Sequence, residues 1–175
     1  MRPAAMLDYS GLLPFFEWLE NTAGSVAIRE SILFYPLVET THVLTLCLFL
    51  GMIALLDLRL LGAALRRVPV SEVAGRLLPV AFAGFALMVV SGLLLFYSGP
   101  LRAYQNIFFR VKMAMLVLAG LNALLFHLTI YKRVAAWDLD ASPPVRAKLA
   151  GALSLVLWSG VVVCGRMQAY NWFEP

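Results

Sequence analysis

The sequence predicts an all-α integral membrane protein: a bundle of four transmembrane helices with a short N-terminal helix at the membrane interface. Three observations carry this expectation. The 175 residues are 62% hydrophobic and only 14% charged, with a mean hydropathy of +0.84, whereas an average soluble domain is ~45–50% apolar and ~25% charged. Four apolar runs each approach or exceed the ~20 residues that cross a bilayer as helix. The runs are continuous and do not alternate strictly, which argues against a β-barrel, and helices satisfy every backbone N–H internally. The same composition excludes a solvated globule, a disordered chain and a nucleic-acid-binding module. The net charge of +4 comes from basic residues that punctuate the apolar runs instead of clustering on a polar domain. The two cysteines, Cys47 and Cys164, both lie inside apolar runs and have no zinc or disulfide-scaffold spacing.

Taken in order, residues 1–31 read as an N-terminal interfacial segment and 32–175 as one four-helix domain. Met1 to Ser10 holds Pro3 and Asp8 and lacks the apolar core of a cleavable signal. Leu12 to Leu19 mixes Phe15, Phe16 and Trp18 with Glu17, the pattern of a short amphipathic helix lying in the interface. The spans are expected at about 32–56, 77–101, 107–131 and 149–167. Ser142-Pro143-Pro144 breaks the chain before the last of them. Gly84, Ser91 and Gly92 on the second span, and Gly151, Gly160 and Gly165 on the fourth, permit close helix approach, and Asn122 should face a neighbouring helix. Trp172 and Phe173 read as interfacial anchors.

The loops set the orientation. Arg59, Arg66, Arg67 and Arg76 follow the first span, and Lys132, Arg133, Arg146 and Lys148 follow the third, together eight of the fourteen Lys and Arg. The positive-inside rule places these loops in the cytoplasm and both termini in the periplasm of a bacterial inner membrane.

Ionisable residues inside a span are costly and mark candidate sites. Glu39 and His42 share a face of the first helix, three residues apart. Counting along helices at 1.5 Å per residue from the cytoplasmic ends, Glu39, Lys112 and Arg166 all lie roughly 27–30 Å up, with Arg110 just above. A Glu39–Lys112 ion pair is therefore expected, with Arg110, Lys112 and Arg166 forming a cationic cluster near the outer face. His42 lies roughly 22 Å up and His127 roughly 8 Å, so one heme between the two is disfavoured. Met115, roughly 25 Å up, or His42 of a second copy are the alternative partners for a metal at His42. The remaining hydrogen-bonding nitrogen of His42 is expected to be oriented by Thr45 or Glu39. His127 reads as an interfacial histidine near Tyr131. A di-iron bundle fails because it needs more intramembrane carboxylates than this chain has. Copper handling through His42, Cys47 and the methionines is an alternative, since soft ligands suit Cu(I). No catalytic or nucleotide-binding motif is present, so the chain is not expected to be an enzyme by itself.

At Glu39-Thr-Thr-His42, Asp57-Leu-Arg-Leu-Leu-Gly62, Lys112 and Asn122-Ala-Leu-Leu-Phe-His127 the chain resembles a group of uncharacterised bacterial four-helix inner-membrane proteins. More distantly, its plan is similar to b-type cytochromes and to the copper-resistance membrane protein CopD. The leading expectation is a small electron-transfer subunit that binds heme b at His42, with Met115 as a candidate ligand and Arg110, Lys112 and Arg166 facing the propionates. Copper handling and a non-catalytic structural subunit of a larger membrane complex are the alternatives. The expected surroundings are lipid, with a homo-oligomer or larger complex as partner and no nucleic acid.

Overall fold

A computed structural model describes residues 11–170. The described chain is helical throughout its regular structure: α1 (Leu13–Glu20), α2 (Ala23–Glu30), α3 (Phe34–Leu61), α4 (Val70–Ser98), α5 (Pro100–Gln105), α6 (Ile107–Leu125) and α7 (Val145–Met167). A π-helical turn, Phe126–Ile130, and a 3₁₀ turn, Tyr131–Ala136, carry α6 onward. Four helices, with α6 counted through Ala136, are long and apolar enough to cross a membrane. Large aliphatic and aromatic side chains such as Leu44, Phe82, Leu93, Leu121 and Val156 are exposed along them. So broad an apolar surface is unstable in water and matches lipid. The chain is a multi-pass membrane bundle. Trp172, Phe173 and residues 1–10 lie outside the described residues.

The helices outrun the apolar stretches at the end where the loops 62–69 and 137–144 meet. α4 begins at Val70, through a polar first turn, because a distant loop caps it: Asp138 accepts from the Ser71 amide (2.7 Å) and hydroxyl (2.6 Å), and its carbonyl accepts from the Val70 amide (3.1 Å). Glu72 and Arg76 pair at 2.6 Å along the same turns. Arg59 is fully buried beneath this cap and donates to the carbonyls of Val68, Asp138 and Asp140. α3 stops at Gly62, whose φ of +70° makes it a left-handed helix cap, with the Ala63 amide reaching back to the Leu58 carbonyl. Leu60, Val70, Phe126, Trp137 and Ala147 pack together under the loops. α7 starts directly after Pro144, whose ring cannot donate a backbone hydrogen bond and suits a helix start.

The other end is clasped by the short helices. Gly99-Pro100 stops α4, and Asn106 restarts the chain as α6 by accepting from the Phe108 and Phe109 amides. α1 is the expected N-terminal helix; its Phe16 ring meets Phe96 and Tyr104, at centroid distances of 6.1 and 4.4 Å. α2 was not anticipated. Thr22 caps it and also bonds the Tyr97 hydroxyl at 2.7 Å, while Arg29 pairs with Glu20 and donates to the Ser98 carbonyl.

Between the two ends, α3 packs on α4 and α7, and α6 packs on α7. α3 and α6 are diagonal and do not pack on one another. The small residues sit at the contacts. A side-chain carbon on Gly84 would meet the Thr45 carbonyl, and one on Gly151 would lie 3.1 Å from the Asp57 carbonyl. Asn122 donates from α6 to the Ala150 carbonyl of α7 at 2.9 Å.

Candidate functional site

His42 projects from α3 toward α4, about 12 Å along the helix from its start. Its ring rests against the bare backbone of Gly92, where an added Cβ would come within 3.1 Å of Cε1. Its Nδ1 lies 3.0 Å from the Met88 carbonyl and 3.1 Å from the Ser91 hydroxyl. A carbonyl can only accept, so Nδ1 carries the hydrogen. In the neutral imidazole Nε2 then holds the free lone pair, and no described residue hydrogen-bonds it. The residues that orient the ring belong to the next helix. Thr45, expected to do so, instead donates to the carbonyls of Thr41 and His42. A main-chain carbonyl leaves no mark in a sequence, so Met88 could not be read in advance. Ser91 and Gly92 were legible only as small residues.

Lys112 is half-buried on α6, and its Nζ approaches Gly165 of α7. It is close enough to His42 to interact electrostatically with it. The expected Glu39–Lys112 ion pair does not form. The ion pairs among the described residues are Arg29–Glu20 and Arg76–Glu72, and Glu39 is exposed. The physical reason is direction: Glu39 is exposed on α3, whereas Lys112 is half-buried on α6 with its Nζ beside Gly165 of α7.

The other expected site residues divide. Arg110 is half-buried, near the start of α6. Arg166 is exposed and folds onto Tyr170, 3.3 Å from its hydroxyl and 5.4 Å from the ring centroid. Met115 is seated against Gly160 of α7, where a side-chain carbon would come within 2.6 Å of its sulfur. It packs in the α6–α7 contact. Cys47 is exposed, Met88 packs with Phe49 and Ala81, and no three His, Cys, Asp or Glu side chains converge among the described residues. His127 is exposed at the π-helical turn, and its ring lies 4.9 Å from that of Tyr131.

Chemically, the site offers one oriented imidazole with a free nitrogen and one half-buried ammonium near it. No curated protein and no solved structure matches the chain. Over residues 15–171 the sequence matches one family model, and the chain belongs to that family of unknown function, DUF6644.

Proposed function

We propose that the protein is a small electron-transfer subunit that holds a b-type heme at His42, in a bacterial inner membrane with both termini on the periplasmic side. One observation carries the reading: the Nδ1 hydrogen of His42 is bound to the Met88 carbonyl, which fixes the ring and leaves Nε2 as the donor to a metal. Metal-ligating histidines are commonly held by such a bond on the second nitrogen, which sets tautomer and orientation. Lys112 is a cation within electrostatic reach of this imidazole and could pair with a propionate, and a cation–carboxylate hydrogen bond is strong where water is excluded. A bound heme supplies one-electron redox chemistry, and this chain supplies position, charge and exclusion of water. Met115 or His42 of a second copy would complete the set of residues that hold the group, and in the second case the protein would be a homo-oligomer.

The test is a visible spectrum of the purified protein, oxidised and dithionite-reduced, after expression with ample heme. The expected result is a Soret band that His42→Ala abolishes and His127→Ala retains, with both variants folded. A folded, colourless wild-type protein overturns the heme reading and leaves His42 as a helix-packing residue in a structural subunit.

A further inference from the structure

Asp57 is the buried carboxylate that this reading does not use. It lies on α3 one turn before the Gly62 cap and is 5% exposed. Ser154 of α7 faces it, yet its Oδ2 has no hydrogen-bond partner. Buried polar atoms are usually satisfied, and a buried carboxyl left short of donors is costly. Asp57 lines a cleft of about 320 Å³ between α3 and α7, together with Ile53, Trp158, Ser159 and Val163. Ser159 and Val163 are exposed, so the cleft opens sideways toward the lipid instead of toward either end of the bundle. Its volume is at the low end of small-molecule sites, which run ~300–1,000 Å³.

We infer that this cleft binds the ring head of a membrane-dissolved quinol, with Asp57 accepting a hydrogen bond from a ring hydroxyl. Four features select that occupant. The lateral opening admits a molecule already in the bilayer. The apolar walls and the Trp158 indole suit a flat ring, and the volume holds one substituted ring and the start of a tail. Oδ2 has no partner, and an ionised carboxylate can only accept, so it takes a ring hydroxyl and cannot hydrogen-bond a quinone carbonyl. Asp57 also sits about 6 Å from the end of α3, near the depth where a polar head meets the interface. Asp57 stands roughly 22 Å from His42 along α3, and Leu50, the cleft residue of α3 nearest His42, roughly 12 Å, so the two sites are separate and a colourless protein leaves this inference intact.

The experiment is a titration of the full-length protein in nanodiscs with decylubiquinol, kept reduced under anaerobic conditions and followed by tryptophan fluorescence quenching. Decylubiquinone is titrated in parallel. Saturable quenching by decylubiquinol is expected, at least tenfold weaker in Asp57→Leu and in Val163→Phe, which fills the mouth and leaves the carboxyl in place. Decylubiquinone should bind several-fold more weakly than decylubiquinol. If Asp57→Leu fails to fold, Val163→Phe carries the test. Absence of saturation in the wild type, binding unchanged in Val163→Phe, or quinone binding as tightly as quinol each overturns the inference.

Discussion

At Gly92 the lack of a side chain decides where an imidazole can sit. A Cβ there meets Cε1 of His42 at 3.1 Å and Nδ1 at 3.5 Å, and the ring is already tied to the Met88 carbonyl. Gly92→Val must therefore displace His42 or part α3 from α4. Overpacking a tight contact costs about 1–3 kcal/mol. Thermal unfolding in detergent should show that loss, whereas Gly120→Val, at a position with nothing within 4 Å, should not. A Gly92→Val protein as stable as the wild type would mean the ring is not clamped. Glu39 gives the opposite expectation. It is exposed and makes no ion pair with Lys112, so Glu39→Gln should change stability by less than about 0.5 kcal/mol, as for an ordinary surface substitution. A large loss of melting temperature in Glu39→Gln would restore the pair that the sequence suggested.

At the scale of the element, α4 owes its first turn to a residue 67 positions away, Asp138. Burial pushes the Asp138 carboxyl up. The Ser71 hydroxyl and amide, the Val70 amide and the nearby Arg59 guanidinium outweigh that and hold it below the ordinary carboxylate range. A depressed carboxyl stabilises the fold wherever it is ionised. Its contribution is complete above the unfolded value of ~3.9 and is lost as pH falls through the lower folded value. Replacing a capping oxygen typically costs ~1 kcal/mol. Asp138→Ala should lower stability by about that much at neutral pH, and the gap from the wild type should close below about pH 4. A gap independent of pH would mean the carboxylate charge plays no part. Arg59→Leu should be harsher, by about 3 kcal/mol or more, because it strands the carbonyls of Val68, Asp138 and Asp140 under the cap. These caps mark the limit of what the sequence discloses. The apolar runs reveal four spans because lipid burial is written in composition. They do not reveal that Val70–Arg76 is helical, since those polar turns depend on Asp138. α2 is as short as α1 but lacks its aromatic residues, α5 is shorter still, and Thr22 and Asn106 gain meaning only beside Tyr97 and α6. At the site, counting residues located His42 and Lys112 in depth but not around the bundle axis. Equal height does not make Glu39 and Lys112 partners, because Glu39 is exposed on α3 while Lys112 lies beside Gly165.

For the whole molecule, the decisive geometry is that the loops 62–69 and 137–144 form one structure, joined through Arg59 and Asp138. Whatever side of the membrane one loop occupies, the other must share it. Exposed Arg66, Arg67, Arg76, Lys132, Arg133 and Arg146 crowd that end. Some of the remaining basic residues at the clasped end are already engaged, Arg29 with Glu20 and Arg166 with Tyr170. Basic residues in short loops are retained on the cytoplasmic side. The prediction is that fluorescent-protein fusions inserted after Arg67 and after Ala141 both fluoresce in the cytoplasm, and that alkaline phosphatase fused after Pro175 is active in the periplasm. The two kinds of failure separate cleanly. If both loops report the periplasm, the orientation is reversed but the Arg59–Asp138 cap stands, and His42 moves to the cytoplasmic half of the bilayer. If the loops report different compartments, they cannot share a cap, and the packing of α3, α4 and α7 described above is itself wrong.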